Sequence, residues 1–222
     1  MAMFDILPTA FIFFAGAIIV ALLPSGRIRS AISLLIPLLA GWQVYNLPSG
    51  VFAQIELFGQ TLEMMRVDKL ARVFALIFCL AAFLGNLYAW HVRDTVQQLA
   101  ALFYAGSALG AVFAGDLVTL FFYWEGTAIA SVFLIWARGT EAAYQTGLRY
   151  LIIQITSGVI LLAGTALLWR ETGSIAFEQM TLGSIGTWLI FLSFGMKCAF
   201  PFLHNWLQDS YPAATVTGTV IL

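Results

Sequence analysis

Apolar windows about twenty residues long follow one another along almost the whole chain. They lie at residues 4–23, 29–47, 68–90, 95–115, 116–137, 146–169 and 183–203, and an eighth opens near Pro212 and is cut off at Leu222. A helix of that length, rising about 1.5 Å per residue, spans the hydrocarbon core of a bilayer. The sequence therefore predicts an all-α integral membrane protein with about seven complete transmembrane helices plus the start of an eighth. Composition agrees: 61% of the 222 residues are hydrophobic, 9% are charged, and the mean hydropathy is +0.93. That balance excludes a soluble core.

The ten Lys and Arg are scattered, so no basic stripe is present to follow a phosphate backbone, and nucleic acid is not an expected partner. Cys79 and Cys198 lie in apolar runs without CxxC or CxxH company, which signals neither a disulfide framework nor a metal site. No quinone, haem or flavin motif is visible, and no cofactor is expected. The N-terminus has no basic residue ahead of its apolar stretch and no small-residue cleavage pattern, so residues 4–23 read as a retained first span.

Between spans two and three, residues 48–67 alternate apolar and polar in part, which predicts an extramembrane hairpin turning at Gly59. Spans four and five are joined only by Gly115 and Asp116, which predicts an antiparallel helical hairpin. Small residues cluster at 105–110 and at Ser157 and Gly158, where helices can approach closely. The chain divides into an N-terminal part, residues 1–94, and a second part, residues 95–222. Odd-numbered connections hold Arg27, Arg29, Arg93, Arg138 and Arg149, and even-numbered ones hold Arg66, Lys69, Arg72 and Arg170. Five against four leans toward an outside N-terminus.

Two ionisable residues stand far inside apolar runs. Lys197 lies within the seventh span, at a cost of about 2.5 to 3.5 kcal/mol on insertion scales. About six residues, or roughly 9 Å of helix, separate it from the span's end, at or beyond the reach of a snorkelling side chain. Glu125 lies about eight residues from one end of its span and about eleven from the other, near the midplane. Its bland reading is a neutral carboxylic acid bonded to hydroxyls or backbone; its functional reading is an ion or proton site. Pro201 cannot donate to the carbonyl of Lys197, so the seventh helix should break or kink there, beside a hydrated cavity. Broken helices of this kind hold ion sites in secondary transporters.

His204 follows Lys197 by two turns and would share its face in an unbroken helix, either as a proton relay or as an interfacial histidine. His91 reads as interfacial. Asp116 reads as a helix N-cap. Arg149 is either a solvated anchor or a charge that biases Glu125. Gln154 is an interhelical hydrogen-bonding group or lines a water path, and Ser193 is a possible supporting polar residue near Lys197. Trp124 and Tyr123 read as packing and hydrogen-bonding residues.

The run KCAFPFLHNWLQDSYPAA over residues 197–214 resembles the seventh-helix signature of the antiporter-like subunits found in multisubunit Na+/H+ antiporters, respiratory complex I and membrane-bound hydrogenases. DLVTLFFYWE over 116–125 resembles the same family's fifth-helix motif, and MRVDKLARVF over 65–74 its third-helix opening. The ending of the first run looks closest to the D-type antiporter protein, although Gln208 stands where the family usually has proline. The resemblance implies the first half of the antiporter-like fold with a broken seventh helix. It also implies that Glu125 and Lys197 are the acid–base pair of a proton path, with H+ and Na+ or another cation as cargo.

Family members carry a second inverted repeat, absent here. Either the sequence is a piece of a longer subunit or a second polypeptide completes the fold beside other membrane subunits. The expected location is the lipid bilayer of a bacterial inner membrane. Three functions fit: a proton-translocating subunit of a cation/proton antiporter, a proton-pumping subunit of a redox-driven NADH:quinone oxidoreductase or hydrogenase complex, and a transport-incompetent assembly half-subunit.

Overall fold

A computed structural model describes residues 7–57 and 59–222; the expected start of the first span at residues 4–6 lies outside them. Nine α-helices and one two-stranded sheet are found among the described residues: α1 Thr9–Leu22, α2 Arg27–Asn46, β1 Gly50–Leu57, β2 Gln60–Val67, α3 Lys69–Tyr88, α4 Thr95–Phe113, α5 Leu117–Trp136, α6 Glu141–Thr172, α7 Ile185–Lys197, α8 Asn205–Ala213 and α9 Val216–Ile221. Five are long and apolar enough to cross a bilayer, namely α2, α3 with its terminal 3₁₀ turn, α4, α5 and α6. α1 and α7 are apolar but only 14 and 13 residues long. Against the expected seven full-length spans, five helices of spanning length and two shorter apolar helices are found among the described residues.

Side-chain caps set many of the helix starts. Asp68, Asp94, Asp116, Thr140, Ser184 and Thr215 each accept a hydrogen bond from a backbone N–H in the first turn of the helix that follows. Ser184 and Thr187 form a reciprocal capping box at α7.

The hairpin appears where alternation placed it. β1 and β2 pair antiparallel from Gly50↔Val67 to Leu57↔Gln60, with Gly59 at φ 75° in the turn. It docks on the α4–α5 turn, where Gly115 N–H donates to Glu63 O (3.0 Å) and Glu63 N–H to the Asp116 carboxylate (2.7 Å). The α6–α7 loop joins them: Leu117 N–H donates to Ile175 O and Phe177 N–H to Gly115 O. Arg66 ties the junction together by donating to the carbonyls of Gly115 and Phe177. Hairpin, α4–α5 turn and α6–α7 loop therefore lie at one end of the helices, as alternating crossings require.

At the opposite end Arg138, just past α5, donates to Pro212 O (2.8 Å) and Ala214 O (3.0 Å). The expected break in the seventh span is present around Pro201 but begins before it: α7 stops at Lys197, and α8 starts at Asn205 and ends beside Arg138. Thirteen and nine residues correspond to roughly 20 Å and 14 Å, together about one hydrocarbon thickness. The eighth span does not begin at Pro212, which sits in the last turn of α8; a new helix starts at Val216 behind its Thr215 cap.

α4 packs against α1, α3 and α5, α5 against α6, and α6 against α7. The α6–α7 contact is close because two glycines face each other. A Cβ on Gly164 would meet Gly186 O at 2.8 Å, and one on Gly186 would meet Gly164 O at 3.0 Å.

Candidate functional site

α7 ends in a Schellman arrangement. Phe200 N–H donates to Gly195 O (2.9 Å) and Ala199 N–H to Met196 O (3.3 Å), with Ala199 in the left-handed region at φ 55°. The Phe200 ring lies over Gly195, where a Cβ would meet it at 2.7 Å. The helix therefore stops before Pro201, which occupies the exposed turn beyond the cap instead of kinking a continuing helix. The break is spanned by a side chain: the Trp206 indole, from the first turn of α8, donates to Met196 O at 3.0 Å.

Lys197 is the last residue of α7 and is partly buried. Its ammonium donates to Trp124 O at 3.4 Å and stands 5.3 Å from the centroid of the Trp124 ring. Trp124 is the eighth of the twenty residues in α5, which sets the lysine's charge at middle depth. The indole itself is fixed, donating to Ser157 Oγ at 3.0 Å and meeting Phe194 edge-on at 4.9 Å between centroids.

Glu125, next in sequence, turns toward α6. Its Oε1 lies against Gly158, where any Cβ would collide with it. That oxygen is buried with no hydrogen-bond partner. Lys197 reaches the carbonyl of Trp124, the residue next to Glu125 in sequence, and donates there rather than to the carboxylate.

Around the two charges runs a track of neutral polar groups. Ser193 Oγ donates to Ser157 O (2.6 Å), and Ser157 Oγ donates to Gln154 O (2.7 Å). Gln154 is 1% exposed, and its Oε1 is a second buried acceptor without a partner. Gln154 and Gly158 are four residues apart and share one face of α6. Two orphan acceptors on one interhelical seam, each costly to leave dry, make a site suited to water or a proton donor.

Two other polar residues lie elsewhere. Arg149 is exposed and donates to Thr146 on its own helix; nine residues from Gly158, it faces the other way. His204 is the N-cap residue of α8, and because the helix breaks at Cys198, the two-turn relation to Lys197 does not hold. Asp116 is the expected cap, accepting from Val118 N–H, Thr119 N–H and Thr119 Oγ1. A cavity of about 790 Å³ between α1, α4, α5 and the hairpin is lined by apolar side chains with Tyr123 and Ser107, and it includes neither Glu125 nor Lys197.

Trp124 and Gly158 are the site residues that sequence reasoning did not assign. The pairing of Ser157 with Gly158 marked a close helix contact, but not which side chain occupies it.

The same arrangement of helices occurs in known proteins. Residues 114–222 match the family described as NADH:quinone oxidoreductase/Mrp antiporter, TM. The D-type protein of the Na(+)/H(+) antiporter of Bacillus subtilis is 26% identical over 172 residues, 69% of this chain and 35% of its own length. Hydrogenase-4 component B of Escherichia coli is 26% identical over 175 residues, 71% of this chain and 26% of its own length. The chain thus spans about a third or less of the length of these relatives. Among solved structures, the Mrp complex from Dietzia sp. DQ12-45-1b superposes with a TM-score of 0.82 at 24% identity, covering 96% of this chain and 26% of that one, a likeness of fold.

Proposed function

The chain belongs to the antiporter-like family of multi-pass membrane subunits shared by Mrp antiporters and NADH:quinone oxidoreductase, and on that premise we propose that it forms a proton-conducting half-path in a multisubunit cation/proton antiporter. What supports this reading is that the Lys197 ammonium, beside the break in α7, rests on Trp124, the residue that precedes Glu125 at middle depth in α5. Glu125 Oε1 has no partner there, while the Lys197 ammonium rests on Trp124.

Such a pair has two arrangements. With the ammonium against the carboxylate, unit charges about 4 Å apart at an effective dielectric near 20 attract by roughly 4 kcal/mol. With the ammonium on Trp124, that support for its charged form weakens and its proton can pass to water in the broken segment. Gln154 and Ser193 hold the water, Pro201 keeps the chain from re-forming a helix, and His204 stands at the start of α8 as the exit. Arg149 contributes from outside the seam as an anchor. The seven-crossing count, with α7 and α8 as one broken crossing, belongs to the same proposal, as does the division at residue 94. H+ and Na+ or another cation are the proposed cargo, other membrane subunits the partners, and a bacterial inner membrane the location.

In everted vesicles containing the assembled complex, Lys197→Met is expected to lower cation-driven proton flux to a small but measurable residue. Unchanged flux with the complex intact would end the proposal. Hydrogenase-4 component B, at the same 26% identity as the antiporter relative, favours a second reading, a proton-pumping subunit of a redox-driven complex. Flux driven by an electron donor and insensitive to added cations would select it. Wild-type flux in Glu125→Gln with partners bound would select a third, the assembly half-subunit.

A further inference from the structure

At the end of the molecule opposite the hairpin, three arginines gather on the turn between α1 and α2. Arg29 is 5% exposed, and its guanidinium donates to Leu23 O and to Thr95 Oγ1. Arg93, before α4, donates to Gly26 O at 3.1 Å and to Ser30 Oγ at 2.5 Å. Arg27 follows Gly26 and is exposed. All of these acceptors are neutral oxygens.

The nearest acid in sequence, Asp94, spends a carboxylate oxygen on Val96 N–H as the cap of α4. Among the described residues no carboxylate accepts a hydrogen bond from any of the three arginines. A buried guanidinium without a counter-charge is costly, and here a second is tied to the same turn, so the place calls for an anion.

The surroundings say which anion. The turn joins two apolar helices at a membrane end, and the side chains flanking it, Leu22 and Ile28, are 82% and 72% exposed. An anion with hydrocarbon attached satisfies both halves of the site; a free ion satisfies one. We propose that the α1–α2 turn binds the phosphodiester headgroup of an anionic phospholipid, held by Arg27, Arg29 and Arg93, with its acyl chains lying along Leu22 and Ile28. The site is remote from Glu125 and Lys197 and does not depend on the function proposed for them.

The test uses the full chain with its co-purifying subunits, delipidated in detergent and exposed to vesicles of phosphatidylglycerol or of phosphatidylcholine, with bound lipid counted by native mass spectrometry. Two exposed arginines near the surface correspond to a preference of roughly 10- to 30-fold for the anionic lipid. The Arg27→Gln/Arg93→Gln double variant, which spares buried Arg29, is expected to lose that preference. Arg170→Gln, an exposed arginine at the end of α6, is expected to keep it. Equal retention of the two lipids by the wild-type protein, or an undiminished preference in the double variant, would overturn the proposal. So would displacement by millimolar inorganic phosphate as effective as displacement by the lipid, which would mark a free-anion site.

Discussion

Gly158 is the residue on which the geometry of the acid turns. Its missing side chain is the space that Glu125 Oε1 occupies, so Gly158→Ala drives the carboxylate out of the α6 seam. Overpacking of this kind costs about 1–3 kcal/mol. The expected result is a lower melting temperature for the purified complex together with reduced flux, whereas Gly183→Ala, where a Cβ would only touch Thr181 Oγ1 at 4.0 Å, leaves both unchanged. Trp124 works in a separable way, because its carbonyl and its ring both face the lysine. Trp124→Phe keeps a ring and loses only the indole bond to Ser157, a matter of about 1 kcal/mol. Trp124→Leu removes the ring and the cation–π contact with it. Flux that falls several-fold more in Trp124→Leu than in Trp124→Phe, at equal assembly, is the expected outcome. Equal flux in the two variants would assign Trp124 to packing alone.

At the scale of elements, the start of α5 and the end of α7 behave differently. α5 could be read from the sequence to within a residue at its start, because Asp116 is a local signal: its carboxylate accepts from Val118 N–H and Thr119 N–H in the first turn. The same carboxylate also holds β2, through Glu63 N–H. Asp116→Ala should therefore cost about 1–3 kcal/mol, more than an ordinary cap, and thermal unfolding of the purified protein would show it. The end of α7 was misplaced because proline is a local signal and the actual stop is not. The chain turns at Ala199, where an L-residue adopts the left-handed conformation, and the turn is held by Phe200 over Gly195 and by Trp206 reaching back to Met196. None of those contacts is visible in a window of hydropathy. Strain at Ala199 has its own consequence: Ala199→Gly removes roughly 1–2 kcal/mol of steric cost and should raise the melting temperature.

For the whole molecule, the discontinuous crossing organises the rest. α7 and α8 follow one another across a break, α6 and α7 approach through Gly164 and Gly186, and the seam beside them collects Glu125, Gln154, Ser157, Ser193 and Lys197. Composition and motif order made the membrane class and the two charged residues legible, because an isolated charge in an apolar run is visible without a fold. What stayed hidden was relational: that the lysine rests on Trp124, that the acid faces α6, and that Arg149 points away. In the proposed path Glu125 and Lys197 act as one unit, and a double-mutant cycle measures that directly. Proton flux would be recorded in vesicles bearing assembled complexes of Glu125→Gln, Lys197→Met and the double variant. The double variant is expected to be no worse than either single one, since breaking the unit twice removes nothing further. Independent, multiplying losses, or wild-type flux in either single variant, would contradict it.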